Sequence, residues 1–179
     1  ARLWWLLRWL GHGAVAVLDG GLAAWSAAGL PLVTAVTERP RGSLAEKATL
    51  VRKVSVGDLV GNLDAKRLQV VDARANDRFR GENETIDPVG GHIPGARNRF
   101  FKDNLQADGR FKDAATLKQE LAPIIGTPAS AVMQCGSGVT ACHNLLALEI
   151  AGLSGAALYP GSWSEWCADS TRPIATGPA

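Results

Sequence analysis

The stretch QCGSGVTA, residues 134–141, places a cysteine beside glycines and hydroxyl side chains, between a predicted strand and a predicted helix. A loop that bends through such residues into a helix aims backbone N–H groups inward, where they attract an anion. The same groups favour a thiolate at Cys135 over a thiol. Glycines permit the required curve, and Ser137 and Thr140 can donate hydroxyl hydrogen bonds. We therefore predict that Cys135 is a nucleophile rather than a structural thiol in a tight turn.

Phosphate ester hydrolysis fits this loop poorly. Cysteine phosphatases use a Cys-x5-Arg loop, because the arginine binds the phosphoryl oxygens in a bidentate manner. The corresponding residue here is Ala141, and the loop contains no charged residue at all. We expect it to stabilise a sulfur species or a small neutral or singly charged group rather than a phosphate dianion.

Strands alternate with helices from residue 54 onward. Apolar strands are predicted at 68–71, at SAVMQC and at GAALY, with helices between them. This order predicts an α/β fold, a doubly wound parallel sheet with helices on both faces. In such sheets reactive residues lie at the carboxyl ends of strands. Asp72, Cys135 and Tyr159 each follow a strand, and we expect them to converge on one site.

A pattern repeats along the chain at an offset of 141 residues. VAVLDGGLAAWSAAG at 15–29 aligns with AALYPGSWSEWCADS at 156–170 without a gap. The aligned pairs include Leu7 with Leu148, Gly20 with Gly161, and Trp25 with Trp166. Both copies read as a helix, a turn, an apolar strand, a glycine turn and a Trp-bearing helix, so they resemble the closing section of one domain type used twice.

The repeat suggests a division of the chain. In the second copy this section follows about a hundred residues that include the cysteine loop, whereas the first copy lacks them. We therefore expect residues 1–29 to be the C-terminal remnant of a first domain and 54–179 to be a complete second domain. Residues 30–53, with two prolines and mixed charges, are predicted to be a linker.

Charge and cysteine content exclude several classes. The 19 basic and 17 acidic residues are scattered, which gives no electrostatic footprint for nucleic acid or for a membrane surface. The three cysteines are an odd number without CxxC or Cys/His spacing, which argues against a disulfide framework and against a metal site. We expect a reducing, cytoplasmic location, with no metal and no cofactor.

The apolar start of the chain, ARLWWLLRWLG, is a poor match to an export signal. Arg8 interrupts the apolar run after five residues, and the run is too short to span a bilayer. We predict instead that Leu3, Leu6, Leu7 and Leu10 form one face of a packed helix.

Five motifs make the chain similar to the rhodanese superfamily, specifically to its tandem-domain sulfurtransferases of the mercaptopyruvate and thiosulfate type. In the family's order they are VVDAR (70–74), RFRGE (78–82), GHIPGARN (91–98), CGSGVTA (135–141) and YPGSWSEW (159–166). DGGLAAW at 19–25 resembles the close of the family's inactive first domain. The resemblance implies a rhodanese-like domain in which Cys135 accepts a sulfane sulfur, holds it as a persulfide and passes it to a thiol or cyanide.

The resemblance also implies roles for residues. The CGSGVTA loop is similar to that of mercaptopyruvate enzymes, in which Ser137 would assist thiolate formation and Arg78 would hold a small anionic sulfur donor. The rest of the donor-binding loop would be Gly136, Gly138, Val139 and Thr140. One departure is that mercaptopyruvate enzymes usually carry a second arginine several residues after the first, whereas ENETIDPVG contains none.

The residues alone do not decide whether several other side chains also belong to the site. Those that could also face the cleft are Arg74, Arg80, Asp72 and Trp163. His92 is predicted to tie down a turn through local hydrogen bonds. Cys142 and Cys167 are predicted to be small buried apolar side chains, and resolution of an oxidised Cys135 by Cys142 is a further hypothesis.

Three functions compete. The resemblance favours a sulfurtransferase that uses mercaptopyruvate, with a thiosulfate:cyanide sulfurtransferase as the nearest alternative. A non-catalytic rhodanese-like sulfur carrier or interaction module is the second class, although such modules often lose the cysteine that is present here. A phosphatase is the third class, and Ala141 argues against it.

Overall fold

The computed structural model describes residues 1–178, which surround one five-stranded sheet. In chain order the elements are α1 (Arg2–Trp9), α2 (Gly21–Ala27), β1 (Arg52–Lys53), α3 (Val56–Ala65), β2 (Gln69–Asp72), α4 (Asn76–Arg80), β3 (Arg97–Asn98), a 3-10 helix (Phe101–Asn104), α5 (Ala114–Ile125), β4 (Ala131–Gln134), α6 (Ala141–Ile150), β5 (Ala157–Leu158) and α7 (Ser162–Cys167). The longest strands, β2 and β4, are the neighbours at the centre of the sheet.

The paired strands all run parallel in the order β1-β5-β4-β2-β3. Met133 of β4 is paired with Val71 of β2, and Val132 with Ala157 of β5. The chain extends outward from the β2–β4 pair in both directions, which confirms the predicted doubly wound α/β fold. The carboxyl ends of β2 and β4 therefore lie side by side, where open parallel sheets place their ligand sites.

Alternation along the strands builds two cores, one on each face of the sheet. Val71 and Met133 point to one core, together with buried side chains of α1, α5 and α6. Val70 and Val132 point to the other, together with side chains of α3, α4 and α7. Because successive residues of a strand face opposite sides, a short apolar run such as AVMQ serves both cores. The helices on both faces agree with the prediction.

Side-chain caps fix where two of the helices begin. Ser55 accepts a hydrogen bond from the N–H of Asp58 at 3.2 Å, and Asp58 accepts one from the N–H of Ser55 at 2.7 Å, which is a capping box. Asp113 accepts from the N–H of Thr116 at 2.9 Å at the start of α5. The hydrogen bond from the Ser55 backbone holds the pKa of Asp58 below its usual range, so the cap is ionised at neutral pH.

Helix α1 packs mainly through two tryptophans, with Leu6 of the predicted leucine face partly buried beside them. Trp4 and Trp5 are buried, whereas Leu3 is 69% exposed. The prediction for Leu3 is therefore wrong, because the larger indole rings gain more from burial than the leucine on the opposite side. Arg8 lies over the Trp4 ring, 5.2 Å from its centroid, and the helix packs against α6.

Residues between α1 and β1 are mostly irregular and exposed, and no residue of α2 is buried. The segment returns to α1, where the N–H of Lys47 donates to the carbonyl of Leu10 at 3.0 Å. The last two residues of the predicted 30–53 linker are not linker, because Arg52 and Lys53 form β1 beside β5. The sheet thus begins at Arg52, within the segment that was predicted to be a linker.

Candidate active site

A cavity of about 270 Å³ opens beside the carboxyl ends of β2 and β4. It is lined by Ala73, Arg74, Ala75, Arg78, Ile86, Asp87, Phe100, Phe101, Cys135, Gly136, Ser137, Val139, Thr140 and Ser164. These residues come from α4 and the segments that flank it, from the segment after β3, from the loop after β4 and from α7. Cys135 and the loop that follows Asp72 thus meet at this cavity, as predicted. Tyr159 lines a different cavity, together with Pro160 and Gly161, so the predicted convergence is wrong for that residue.

Cys135 follows β4 directly and is held by the start of α7. Its N–H donates to Oγ of Ser162 at 3.1 Å, and its carbonyl accepts from the N–H of Trp163 at 2.9 Å. The N–H of Ser164 donates to the carbonyl of Gly136 at 2.9 Å. Cys135 is only 1% exposed, so its side chain is reached from the cavity and not from the open surface.

The loop after Cys135 leaves backbone donors available. Within residues 1–178, the N–H groups of residues 136–141 have no hydrogen-bond acceptor in the protein. They precede and begin α6, so they share the positive end of that helix dipole. Ser137 and Val139 are exposed at the cavity wall, and Thr140 is half-buried there. This arrangement can hold an anion next to the sulfur of Cys135.

Gly138 supports the loop from behind. It is buried, has φ +73°, and a Cβ atom there would lie 2.5 Å from the carbonyl oxygen of Pro160. Its carbonyl accepts from Nη1 of Arg2 at 2.7 Å and from the Cys142 thiol at 3.3 Å. Gly138 does not line the cavity, so the structure places this predicted binding residue in a supporting position.

Arg74 is one of two arginines on the cavity wall, and it is almost fully buried. Its Nη2 donates to Oδ2 of Asp72 at 2.7 Å and to the carbonyl of Gly91 at 2.7 Å. Its guanidinium lies 4.6 Å from the ring centroid of Trp163. Asp72 and Trp163 therefore orient Arg74, and neither of them reaches the cavity.

Arg78 is the second arginine of the wall, and it is already paired. Its Nη2 donates to Oε1 of Glu84 at 2.7 Å and to Oδ2 of Asp87 at 3.2 Å. Burial raises the pKa of Glu84, but hydrogen bonds from Arg78 and from two backbone N–H groups outweigh it, and the net pKa is below the usual range. Glu84 is therefore a carboxylate at neutral pH.

Arg80 lies away from the cavity. It pairs with Glu82 at 2.8 Å on the surface, where both side chains are more than a third exposed. Of the three arginines among which the sequence could not decide, the structure brings Arg74 and Arg78 to the cavity and leaves Arg80 outside.

The structure also shows the surroundings of His92, Cys142 and Cys167. His92 contacts the carbonyl of Phe79 through Nδ1 at 2.9 Å, and its backbone pairs with that of Ala175, as predicted for a turn histidine. Cys142 and Cys167 are buried, as predicted. Burial raises the pKa of Cys142 to about 11, so its thiol stays protonated at neutral pH.

Sequence reasoning missed part of the cavity wall. Asp87, Ser164 and the 3-10 helix residue Phe101 line it, and Ser164 donates through Oγ to Asp87 at 2.5 Å. The available signal was the segment ENETID, which follows RFRG in the chain and supplies carboxylates close to arginines. Phe101 had no comparable signal, because its position depends on a turn after β3.

Residues 1–178 contain neither a candidate metal-binding cluster nor a helix that could span a membrane. No group of three or more His, Cys, Asp or Glu side chains is placed to hold a metal ion. Among the same residues, every helix is too short or too polar to traverse a lipid bilayer.

Comparison with known proteins identifies related sequences. A profile described as rhodanese-like domain matches residues 55–169. A probable 3-mercaptopyruvate sulfurtransferase of Pseudomonas aeruginosa is 49% identical over 180 residues, which cover 99% of this chain and 63% of that protein. The human 3-mercaptopyruvate sulfurtransferase is 39% identical over 92% of this chain and 57% of its own length. The bovine thiosulfate sulfurtransferase has the same identity and the same coverages. The chain thus spans about 60% of the length of these relatives.

Solved structures share the fold. The Tum1 protein of Saccharomyces cerevisiae superposes with a TM-score of 0.83 at 25% identity, over 99% of this chain and 66% of its own. An anaerobic ergothioneine biosynthesis enzyme from Chlorobium limicola superposes with a TM-score of 0.81 at 19% identity, over 99% of this chain and 45% of its own. At that lower identity the likeness concerns the fold alone.

Proposed function

The chain belongs to the rhodanese-like domain family, and on that premise we propose that it is a sulfurtransferase acting through Cys135. The donor is 3-mercaptopyruvate, with thiosulfate as the alternative, and the sulfur is carried as a persulfide to a thiol or to cyanide. The human mercaptopyruvate and bovine thiosulfate sulfurtransferases match the chain equally well, whereas the relative at 49% identity is described as a probable 3-mercaptopyruvate sulfurtransferase, which supports this donor together with the loop.

One observation carries the proposal. Cys135 lies at the floor of a cavity, at the mouth of a loop whose N–H groups at 136–141 have no acceptor within residues 1–178. Backbone N–H groups without an acceptor, next to Cys135, would stabilise the negative charge of a thiolate or a persulfide. A purely structural cysteine would not require a neighbouring loop of backbone N–H groups that lack acceptors.

Persulfide formation follows from this arrangement. The Cys135 thiolate attacks the sulfur of 3-mercaptopyruvate, an S–S bond forms and the donor's C–S bond breaks. The electron pair leaves on the enolate of pyruvate, which takes up the proton released from the donor's thiol. With thiosulfate the donor's S–S bond breaks instead, and sulfite leaves with the electron pair.

Transfer to the acceptor restores the protein. A thiolate or cyanide attacks the outer sulfur, the S–S bond to Cys135 breaks, and the thiolate of Cys135 is regenerated. No net oxidation occurs over the cycle, so no redox cofactor is needed. Ser137, exposed at the cavity, is the hydroxyl that polarises the donor carbonyl or supports the thiolate.

We also propose that residues 1–29 are the closing section of a first rhodanese domain and that 54–178 belong to the catalytic one. The helices support this, because α2 begins one residue after Gly20 just as α7 begins one residue after Gly161. The boundary segment before β1 would be the linker between the two domains.

Steady-state assays test the proposed function. We expect wild-type protein, supplied with 3-mercaptopyruvate and cyanide, to form pyruvate and thiocyanate in equal amounts. Cys135→Ser should lower the rate by at least about 10³-fold, because the nucleophile is lost. Cys167→Ser, which changes a buried cysteine outside the cavity, is the matched control and should retain the activity.

Two outcomes would contradict the proposal. Equal rates for wild type and Cys135→Ser would remove Cys135 from the reaction. A stable persulfide that no thiol or cyanide discharges would favour the carrier module over the enzyme.

A further inference from the structure

The cavity wall carries a carboxylate beside the cysteine loop. A methyl group placed on Gly136 would lie 3.9 Å from Oδ2 of Asp87 and 3.8 Å from Nη2 of Arg78. Asp87 is fixed there by Ser164, whose Oγ donates to its Oδ1 at 2.5 Å, and its side chain is only 6% exposed. The residue that follows the nucleophile thus faces an arginine and an aspartate at equal range.

Arg78 can offer only part of its guanidinium to a donor. Nε lies 3.1 Å from both carboxylate oxygens of Glu84, and Nη2 lies between Glu84 and Asp87. Within residues 1–178, Nη1 has no acceptor, and it also faces Gly136. An incoming anion therefore meets one free nitrogen rather than a bidentate fork.

The charges behind the wall do not add a positive field. Arg74 pairs with Asp72 at 2.7 Å and with Glu84 at 3.3 Å, and Arg78 pairs with Glu84 at 2.7 Å. Asp87 has no cation of its own, because it shares Nη2 of Arg78 with Glu84. Two guanidinium groups thus face three carboxylates, and the excess negative charge lies at the position nearest the cavity.

We propose that Asp87 selects sulfur donors by charge, so that its carboxylate beside Gly136 penalises a dianionic donor more than a monoanionic one. This inference rests on the proposed function, because it concerns the same cavity and the same reaction. It makes Asp87 a specificity-determining residue that favours 3-mercaptopyruvate, which has a single carboxylate, over thiosulfate, which carries two negative charges.

Coulomb repulsion makes the proposal quantitative. The interaction with a fixed carboxylate scales with the charge of the ligand, so the free-energy penalty for thiosulfate is about twice that for mercaptopyruvate. Fold-changes are exponential in free energy. Neutralising Asp87 should therefore multiply kcat/KM for thiosulfate by about the square of the factor found for mercaptopyruvate.

The experiment compares both donors in the wild type and in Asp87→Asn, with cyanide as the acceptor. We expect kcat/KM to rise about threefold for mercaptopyruvate and about tenfold for thiosulfate, since one unit charge is removed from a partly buried wall. Asp87→Glu keeps the charge and should keep the wild-type ratio between donors. Glu82→Gln removes the same charge from the same segment, outside the cavity, and should leave the ratio unchanged.

The results distinguish failure of charge selection by Asp87 from failure of the proposed function. A fall for both donors, or an equal change for both, would overturn charge selection and assign Asp87 to holding Arg78. If Asp87→Asn does not fold, Asp87→Ala is judged by the same ratio. A wild type that turns over neither donor would instead overturn the proposed function itself.

Discussion

Residues 1–29 and 142–170 share one sequence pattern but differ in what covers them. Trp25 and Trp166 occupy the same place in α2 and α7, and both indoles donate to a proline carbonyl, of Pro31 at 3.1 Å and of Pro173 at 3.0 Å. Trp166 is fully buried, whereas α2 contains no buried residue. The pattern therefore gives the same local helix in both copies, but the tryptophan is buried only in the second copy, where the sheet surrounds it.

The strand of the repeat shows the reason. In the second copy it is β5, which is hydrogen-bonded between β1 and β4. The equivalent residues 16–17 of the first copy form no strand, and they are exposed. A strand needs partners, whereas a helix satisfies its own backbone groups. The helices of this pattern thus form from local sequence alone, whereas its strand and its buried core require residues from elsewhere in the chain.

The largest expected effect is the difference in stability between replacing Trp166 and replacing Trp25, its equivalent in the repeat. Trp166→Ala should lower the free energy of unfolding by about 3–5 kcal/mol, because it empties a fully buried site in the core. Trp25→Ala should cost less than about 1 kcal/mol, as its helix has no buried residue. Urea unfolding of both variants measures the contrast. Equal losses would mean that the first copy is as well packed as the second.

Much of the fold was predictable because it depends on local patterns. Strand and helix order, the parallel sheet and the position of Cys135 after β4 follow from apolar runs and turns. The buried face of α1 was not predictable, since the choice between Leu3 and Trp4 depends on α6, which lies far away in the chain. β1 was hidden in a polar segment, because its pairing to β5 uses backbone groups rather than side chains.

The second prediction concerns position 2 of the pattern, which is Arg2 in the first copy and His143 in the second. Burial lowers the pKa of His143 from 6.5 to about 4. Between these two pH values the unfolded chain binds a proton that the folded chain does not. The contribution of His143 to the free energy of unfolding is therefore fully present above pH 6.5 and is lost as the pH falls toward 4. His143→Gln should remove that loss, which is about 3 kcal/mol between pH 7 and pH 4.

Unfolding midpoints measured from pH 4 to pH 7 check this slope. A wild type and a His143→Gln variant with parallel pH profiles would contradict it, because the titration would then arise elsewhere in the chain.

The smallest effect is expected for Arg2, which carries the first copy's contact with the cysteine loop. Arg2→Ala removes the hydrogen bond to the Gly138 carbonyl and should cost about 1 kcal/mol of unfolding free energy. Arg8→Ala is the matched control on the same helix, because each arginine lies over a tryptophan, but Arg8 has only a long 3.5 Å contact with Glu149 in addition. Its loss should be smaller by about 0.5 kcal/mol. If the two losses are the same, the Arg2 contact is not specific.

The candidate site was predictable to the extent that its residues are contiguous. The loop at 135–140 and the choice of Arg78 came from motifs, and the cavity contains both. The pairing of Arg78 with Glu84 and Asp87 was not predictable, because a run of charges does not state which carboxylate folds back onto which arginine. Gly138 was predicted to bind the donor, and its positive φ and its contact with Arg2, which place it behind the loop, could not be predicted from the motif.

The central claim is that Cys135 holds the transferred sulfur. The most direct measurement is the mass of the intact chain and of its peptides after incubation with 3-mercaptopyruvate and no acceptor. The account predicts a gain of one sulfur atom on the peptide that contains Cys135, lost again on addition of cyanide and absent in Cys135→Ser. A gain that persists in Cys135→Ser, or an unchanged mass with Cys135 still open to alkylation, would contradict it.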